Sequence, residues 1–345
     1  MNHLTSWTDL PDATWQACLD RARWHRENRA WTPSAAGKAL GLVFFNPSLR
    51  TRASMDVAAA HLGAHAITLT PGSGTWGLET RDGVVMDGAA AEHVKEAFGA
   101  LGQYVDALGV RTFATLTDPE ADAEDRAFAA AVAASPVPVV NLESARWHPC
   151  QELADAATIC DTLDDPRGKK LVLHWAPHPK PLPRAVPNSA VLMAARLGME
   201  VLVVRPDGFG LDADVLDLAR AEARRTGGSV TESADRHGAL AGAHVVYAKA
   251  WAGANVYDAP DLEATQRADH ADWTLTSGDM TRTDRAHFMH CLPVRRGVVA
   301  TDDVLDDERA IHTLQAAYRL HAQKAILEWV WEVQGSGFDG PGAGE

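Results

Sequence analysis

A short segment near residue 50 places hydroxyl and guanidinium side chains directly after a buried strand. The apolar run Leu40 to Phe45 is typical of a parallel strand, and a helical pattern follows within a few residues. At such a junction the first N–H groups of the helix are unpaired and the helix dipole is positive. Ser48 and Thr51 add hydroxyl donors. Arg50 and Arg52 add planar donors that match phosphate oxygens. The segment therefore predicts a phosphate site, with a basic surface helix as the alternative.

Other polar side chains follow predicted strands in the same way. Arg111 ends one strand, and Glu143 follows the next one. His148 and Gln151 come a few residues later, and Lys249 ends a strand in the second half of the chain. Open α/β sheets bind ligands in the crevice at the carboxyl ends of their strands, so these positions favour a binding role over a purely structural one.

One aromatic side chain lies in a glycine-rich loop. Trp76 is flanked by Gly72, Gly74 and Gly77 and has little local core to bury it. A ligand or a neighbouring subunit is a reasonable partner for it. Packing against its own chain stays open as the alternative.

The elements that must position these residues alternate between strand and helix, which predicts an α/β fold with parallel sheets. The alternation restarts after the polar turn Asp164–Gly168, a predicted hinge, so we expect two doubly wound domains linked by helices. The predicted domains are 1–149, completed by a C-terminal helix 314–333, and 150–313, with a flexible tail at 335–345. Strands are predicted at residues 40–45, 64–69, 107–112, 137–142, 170–175, 199–204, 244–248, 273–275 and 288–290. Helices are predicted at 53–62, 92–101, 119–134, 150–163, 190–197, 211–225 and 314–333, with one or two more between residues 4 and 35.

Composition excludes several classes of protein. The chain of 345 residues carries a formal charge of −14, which argues against binding to nucleic acid or to an anionic membrane. It has no run of 18 apolar residues, so no membrane span is expected, and its start lacks the pattern of a signal peptide. The four cysteines show no CxxC spacing, which argues against a zinc site or a disulfide framework. We expect a cytoplasmic protein without a metal.

Three short motifs occur in a characteristic order. They are Ser48-Leu49-Arg50-Thr51-Arg52, His148-Pro149-Cys150-Gln151 and His290-Cys291-Leu292-Pro293. With these motifs the chain resembles the aspartate/ornithine carbamoyltransferase family over nearly its whole length. The resemblance implies transfer of a carbamoyl group from carbamoyl phosphate to an amine without a cofactor. It also implies a homotrimer with active sites shared between subunits.

The resemblance assigns a partner to each part of carbamoyl phosphate. The phosphate would lie on Ser48, Leu49, Arg50 and Thr51 and would be shielded by Trp76, which the family supplies from the neighbouring subunit. The carbonyl oxygen becomes an oxyanion during attack and needs preorganised donors. By resemblance these donors are Arg111, His148 and Arg319, and the acceptors for the NH2 group are Gln151 and the backbone carbonyls of Cys291 and Leu292. The implied catalytic set is Arg50, Arg111, His148, Gln151, Cys291 and Arg319. A nucleophilic role for Cys291 stays open as an alternative.

The acceptor side departs from the ornithine and aspartate enzymes. The Ser-Met-Gly loop expected for ornithine is absent, and the family's aspartate enzymes usually have His-Pro-Leu-Pro instead of His290–Pro293. The proline-rich stretch Trp175 to Ser189 is instead similar to that of the Nα-acylornithine carbamoyltransferases of arginine biosynthesis. That similarity implies that Lys249 holds the α-carboxylate and that Arg295 meets the acyl end. The remaining implied acylornithine residues are Glu143, Asn188, Leu292 and Ala91.

The charge of the residue before Glu92 bears on which acyl group the substrate carries. The acetyl enzymes carry a second glutamate directly before the Glu-His pair that is Glu92-His93 in this chain, where this chain has Ala91. A carboxylate there would repel a succinate tail, so its absence favours succinylornithine over acetylornithine. Three alternatives stay open: a carbamoyltransferase for another amine such as ornithine, putrescine or aspartate, a non-catalytic α/β ligand-binding relative, and a nucleotide-binding oxidoreductase. The oxidoreductase alternative is weakened because the chain has no GxGxxG motif between a strand and a helix, as nucleotide binding would require.

Overall fold

The structure is a computed structural model that describes residues 1–28 and 31–333. The predicted tail at 335–345 lies outside the described residues. The chain forms two compact units. Among the described residues, the first unit consists of those in Met1–Thr115, those in Glu120–Ala157 and residues 318–333, and the second of Leu116–Pro119 and Thr158–Ala317.

A parallel sheet of four strands organises the first unit, in the order β2-β1-β5-β6. A separate parallel pair, β3 and β4, lies outside it. At Gly109 of β5 an added Cβ would lie 2.9 Å from side-chain atoms of Leu42 and Leu142, so glycine permits the close packing there. The strands are β1 (Ala39–Phe44), β2 (His65–Leu69), β3 (Leu78–Glu79), β4 (Glu92–His93), β5 (Ala107–Arg111) and β6 (Val139–Glu143).

Helices connect these strands and cover an apolar core. Phe98 and Phe128 pack with Val43, Val110 and Val139 of the sheet, and all five are buried. The helices are α1 (Asp12–Glu27), α2 (Arg50–His61), α3 (Val94–Leu101), α4 (Pro119–Ala123), α5 (Arg126–Ala134) and α6 (Pro149–Thr162).

A second parallel sheet, of five strands in the order β11-β10-β7-β8-β9, organises the second unit. Its strands are β7 (Lys170–Trp175), β8 (Glu200–Val204), β9 (Ser229–Ser233), β10 (Val245–Lys249) and β11 (His287–Met289). The remaining helices are α7 (Ala185–Arg196), α8 (Ala213–Thr226), α9 (Pro260–Asp269), α10 (Ser277–Met280), α11 (Asp302–Leu305) and α12 (His312–Val330). The chain changes unit within α6 and within α12. Two parallel sheets linked by helices confirm the predicted α/β class. Within the described residues, every helix is too short or too polar to cross a membrane.

The predicted helix 119–134 is wrong, because the structure breaks it between α4 and α5. Asp125 lies at the break in a left-handed conformation with φ of 55°. Its carboxylate accepts hydrogen bonds from the N–H of Ala145, at 3.0 Å, and from the Ser144 hydroxyl. These contacts with the turn after β6 hold Asp125 outside a helical conformation.

Three other predicted elements are corrected. Helix α7 begins at Ala185 and not at residue 190, because Pro187 falls in its first turn, where the missing N–H costs no hydrogen bond. Residues 273–275 form no strand; Leu275 makes only an isolated bridge to Ala300. Glu92 and His93 form β4 rather than the start of a helix, which begins at Val94.

Candidate active site

The segment that follows β1 forms a tight turn into α2. The Oδ1 atom of Asn46 accepts a hydrogen bond from the N–H of Phe113 at 2.7 Å, and Oγ of Ser48 accepts one from the N–H of Thr51 at 3.2 Å. Leu49, directly before the helix, is 78% exposed. The N-terminus of a twelve-residue helix at this turn is suited to an anion.

The guanidinium of Arg52 supports this turn. It lies 4.9 Å from the centroid of the Phe44 ring and donates a hydrogen bond to the Thr70 hydroxyl. The sequence suggested that Arg52 donates directly to a phosphate, whereas in the structure its guanidinium contacts Phe44 and Thr70. Arg50, in the first turn of α2, keeps that prediction.

Two further arginines meet at the hydroxyl of Thr51. Arg319 of α12 donates from Nη2 to Oγ1 of Thr51 at 3.0 Å, and Arg111 at the end of β5 donates from Nη1 at 3.5 Å. Since Thr51 accepts both bonds, its own O–H proton can donate to a ligand. Thr51, Arg111 and Arg319 are all buried. The structure thus brings together three side chains that the sequence places far apart.

Gln151 has its amide orientation fixed by its two neighbours. Its Oε1 atom accepts a hydrogen bond from Nη1 of Arg319 at 2.7 Å, and its Nε2 donates to Oδ1 of Asp155 at 2.7 Å. A carboxylate such as that of Asp155 accepts hydrogen bonds, which requires the amide nitrogen to face it. The amide oxygen keeps one lone pair that can accept from the NH2 group of a ligand.

Glu143 and His148 complete the cluster in the first unit. A carboxylate oxygen of Glu143, Oε2, lies 2.8 Å from Nη1 of Arg111 and 3.6 Å from Nε2 of His148. The backbone of Glu143 has φ of 140°, a region that residues other than glycine rarely adopt. Strain of this kind is concentrated at functional sites. The residue predicted to hold ornithine thus also balances the charge of Arg111.

The electrostatics of the cluster keep His148 neutral. Burial lowers the pKa of His148 well below its usual value, and the positive charges of Arg319, Arg111 and Arg50 lower it further. Burial also lowers the pKa of the Arg319 guanidinium. A neutral imidazole among three cations can donate one hydrogen bond to a carbonyl oxygen without adding charge.

Trp76 and Ala91 lie in an exposed segment of the first unit. The indole of Trp76 is 61% exposed, and its Nε1 donates to Oε2 of Glu92 at 2.6 Å. Ala91 is exposed and donates its N–H to the carbonyl of Gly77 at 3.2 Å. The carboxylate of Glu92 is therefore occupied by an indole, and position 91 presents no charge.

In the second unit, the loop after β11 is held by a chain of hydrogen bonds. The N–H of His290 donates to Oε1 of Gln315 at 2.9 Å, and Nε2 of Gln315 donates to the hydroxyl of Tyr247 at 3.1 Å. Nδ1 of His290 accepts from the N–H of Leu292 at 2.8 Å. Leu292 has φ of 59°, and the loop thereby fixes the directions of the Cys291 and Leu292 carbonyls.

Four of the residues predicted for the acceptor, Asn188, Lys249, Leu292 and Arg295, lie in the second unit, whereas Glu143 and Ala91 lie in the first. Lys249, at the end of β10, is buried and donates from Nζ to the carbonyl of Ala250 at 2.8 Å. Asn188 is buried in the first turn of α7 and not in the loop before the helix, where the sequence placed it. Arg295 is exposed, and its Nε donates to Nε2 of His178 at 3.0 Å.

Sequence reasoning missed Asp155, Gln315 and His178. Asp155 follows Gln151 by one helical turn, a spacing that could have indicated the contact. Nothing in the sequence connects Gln315 to His290 or His178 to Arg295, because these pairs meet only through the fold. Among the described residues, no group of three or more His, Cys, Asp or Glu side chains could hold a metal ion.

The first unit thus forms a buried cluster of guanidinium groups beside a helix N-terminus, as required for a phosphorylated substrate. The family model "Aspartate/ornithine carbamoyltransferase, carbamoyl-P binding domain" matches residues 2–161, and "Aspartate/ornithine carbamoyltransferase, Asp/Orn binding domain" matches residues 184–330.

Whole-chain comparisons agree with these matches. The chain is 41% identical over 330 residues to the N-acetylornithine carbamoyltransferase of Xanthomonas campestris pv. campestris, covering 95% of this chain and 97% of that one. It is 38% identical over 295 residues to the N-succinylornithine carbamoyltransferase of Bacteroides fragilis, covering 86% and 88%. A crystal structure of N-acetyl-L-ornithine transcarbamylase superposes with a TM-score of 0.93 at 41% identity, covering 96% of this chain and 100% of that chain. That structure is a glutamate-to-alanine variant complexed with carbamyl phosphate and N-succinyl-L-norvaline.

The fold and the cluster define an α/β transferase. The chain belongs to the aspartate/ornithine carbamoyltransferase family.

Proposed function

We propose that the protein transfers the carbamoyl group of carbamoyl phosphate to the δ-amine of an Nα-acyl-L-ornithine, with N-acyl-L-citrulline and phosphate as products. The observation that carries the donor half of the proposal is the meeting of Arg111 and Arg319 on Thr51, in the first turn of α2. We assign the binding of the phosphate and the carbonyl oxygen of carbamoyl phosphate to the first unit, and the binding of the α-carboxylate of acylornithine to the second. The reaction belongs in arginine biosynthesis.

The proposed chemistry follows from the donors in the cluster. The phosphate binds to the backbone and side chains of Ser48, Leu49, Arg50 and Thr51. Arg111, Arg319 and neutral His148 donate hydrogen bonds to the carbonyl oxygen, where negative charge develops when the amine attacks. The amine nitrogen forms a bond to the carbonyl carbon, and the bond from that carbon to the phosphate oxygen breaks. The leaving phosphate takes the amine proton, so no protein base and no nucleophilic Cys291 are required.

The acceptor is proposed from the cations of the second unit. Lys249 is buried, and among the described residues no carboxylate pairs with it. A buried ammonium needs an anionic partner, and the α-carboxylate of the acceptor supplies one. Asn188 and Glu143 help to position the ornithine chain in this proposal. The carbonyls of Cys291 and Leu292 accept from the NH2 group of carbamoyl phosphate.

We infer that succinyl is preferred over acetyl. Position 91 is an exposed alanine, and the one carboxylate beside it, Glu92, is bound by the indole of Trp76. The related N-acetyl-L-ornithine transcarbamylase was crystallised with N-succinyl-L-norvaline in variants that replace one glutamate by proline, alanine, serine or valine. We take Ala91 to be the matching position, since the acetyl enzymes carry their additional glutamate directly before the Glu-His pair. The chain then resembles those variants.

An ornithine carbamoyltransferase is the second candidate. Free ornithine carries a positive α-amino group, and the family's ornithine enzymes meet the amino-acid head with a Ser-Met-Gly loop that this chain lacks. Lys249, which has no carboxylate partner among the described residues, fits an N-acylated head better, because acylation removes the positive charge of the substrate's α-amine.

Replacement of Arg50 by alanine tests the donor half of this proposal. We expect Arg50→Ala to lower kcat/KM by about a thousandfold or more, because a charged donor to the phosphate is removed. Formation of a citrulline-type product from carbamoyl phosphate and an acylornithine measures the effect. Arg126→Ala is the matched control, since Arg126 is exposed and paired with Glu120 and Glu124 on the same unit. Wild-type activity in Arg50→Ala would contradict the proposal.

A further inference from the structure

Two adjacent arginines in the loop after β11 differ in how their charges are balanced. Arg296 is paired with two carboxylates, those of Asp302 at 3.0 Å and Asp306 at 2.7 Å. Arg295 makes no ion pair with any carboxylate in the described part of the chain. The charge of Arg295 is therefore available to an external anion.

The orientation of Arg295 is set by a histidine from the proline-rich loop. Nε of Arg295 donates to Nε2 of His178 at 3.0 Å. Because the guanidinium is always protonated, Nε2 of the imidazole must be the acceptor, and the single ring proton of a neutral histidine is then on Nδ1. Nδ1 lies 2.8 Å from the carbonyl oxygen of Lys180, which accepts this proton, and 3.1 Å from the backbone nitrogen of Lys180, which cannot donate to Nδ1 in this tautomer. The bond to Nε leaves the two terminal nitrogens of Arg295 for a carboxylate.

The backbone of His178 is anchored by a buried ion pair. Its carbonyl oxygen accepts from Nη1 of Arg267 at 2.8 Å, and Nη2 of Arg267 lies 3.1 Å from Glu263 of the same helix, α9. Glu263 also accepts from the N–H of Gly253 at 3.2 Å. Helix α9 thus ties the proline-rich loop to the segment that follows Lys249. The backbone of His178 is therefore held in place by residues of this chain.

The surroundings of His178 are cationic. Burial lowers the pKa of His178, and the charges of Arg295, Lys249 and Arg267 lower it further, against the bond to Lys180 that raises it. The imidazole is consequently neutral near pH 7. Lys249 and Arg295 are thus two cations close enough to act on one ring, and neither has a carboxylate partner among the described residues. A ligand with two carboxylates would balance both.

We infer that His178 is a positioning residue for the acyl group: it holds Arg295 so that the terminal guanidinium nitrogens face the carboxylate of a succinyl tail. The inference rests on the proposed function, in which Lys249 binds the α-carboxylate of the same substrate. His178 itself needs no contact with the substrate. Acetylornithine has no second carboxylate, so its binding should not depend on the contact between His178 and Arg295.

Replacement of His178 tests the inference through a split between two substrates. His178→Leu removes the acceptor, and His178→Gln restores an amide oxygen that can accept from Nε. In His178→Leu we expect KM for Nα-succinylornithine to rise about tenfold with little change in kcat, while KM for Nα-acetylornithine stays within about twofold. His178→Gln should recover most of the loss. Arg296→Lys is the control and should leave both KM values unchanged.

A second pair of variants protects the test against misfolding. Arg295→Lys lacks the planar fork, so it should raise the succinylornithine KM by itself, and adding His178→Leu should raise it no further. Equal KM changes for the two acylornithines, no change in His178→Leu, or additive losses in the double variant would overturn the inference while leaving the proposed function intact. A wild-type enzyme that carbamoylates neither acylornithine would refute both.

Discussion

His148 shows how burial sets the chemistry of a single residue. The imidazole lies within 3.6 Å of Glu143, yet burial and three arginines keep its pKa well below its usual value. The ring is therefore a neutral hydrogen-bond donor throughout the physiological pH range, rather than an imidazolium. Because no proton is gained or lost there, His148 should contribute no titration to the rate near pH 6.5.

This assignment predicts the behaviour of two His148 variants. His148→Ala should lower kcat about 10²- to 10³-fold through loss of one donor to the oxyanion, and His148→Gln should keep part of the rate because its amide can donate. The pH profile of kcat/KM between pH 6 and pH 8 should have the same shape in wild type and His148→Gln. An acid limb near pH 6.5 that disappears in the glutamine variant would show that the histidine titrates, contrary to this account.

Thr51, His148 and Gln151 were predicted from motifs and Arg111 and Arg319 from the family resemblance, and the structure brings these side chains together. The sequence could not identify how they are held. The strained backbone of Glu143 and the pairing of Gln151 with Asp155 depend on atoms brought together by folding. The direction of the Arg52 side chain, which lies against Phe44, could not be predicted from residue type and spacing.

At the scale of elements, α12 both carries Arg319 and anchors the first unit. Near its end, Glu328 accepts hydrogen bonds from Nε of Arg21 at 2.6 Å, from Nε2 of His25 at 2.9 Å and from Ser34 at 2.9 Å. Arg21 and His25 lie on α1, so this buried group joins the two helices. Burial alone would raise the pKa of Glu328, but the bonds from Arg21 and His25 lower it to about 2.

Loss of this carboxylate should destabilise the protein. Glu328→Gln removes the carboxylate that balances the buried charge of Arg21, at a cost of about 3–5 kcal/mol in the free energy of unfolding, measurable by denaturant titration. The lowered pKa means that the ionised form contributes fully above about pH 4.5 and that this contribution, about 3 kcal/mol, is lost as the pH falls towards 2. The double variant Arg21→Met/Glu328→Leu should recover most of the stability. A stability of Glu328→Gln equal to that of wild type would contradict the assignment.

The elements that sequence patterns predicted well are those with continuous apolar runs, such as β7, found at Lys170–Trp175 as expected. The strand β9 was missed because it is polar, with Ser229, Thr231 and Ser233 alternating with two other residues. The break at Asp125 was missed because its cause is a contact with residues 144–145, about 20 positions later. Local patterns carry no information about such contacts.

At the scale of the whole molecule, the exposed Trp76 is the residue that points to assembly. We propose a homotrimer in which Trp76 completes the site of a neighbouring subunit. Arg50→Ala and Trp76→Ala should each be inactive alone, whereas a refolded equal mixture should recover activity at about a quarter of the sites, where an intact Arg50 meets an intact Trp76. A mixture without recovery, or a fully active monomer by light scattering, would contradict shared sites.

The measurement that tests the central claim most directly is carbamoyl transfer to ornithine, Nα-acetylornithine and Nα-succinylornithine side by side, in wild type and Ala91→Glu. We expect the highest kcat/KM with Nα-succinylornithine in wild type. A glutamate at position 91 should reverse the preference towards Nα-acetylornithine, because two facing carboxylates repel by about 1 kcal/mol or more. A wild-type preference for Nα-acetylornithine would contradict the role of Ala91. Turnover of free ornithine alone would contradict the proposed acceptor while leaving the carbamoyl phosphate cluster unaffected.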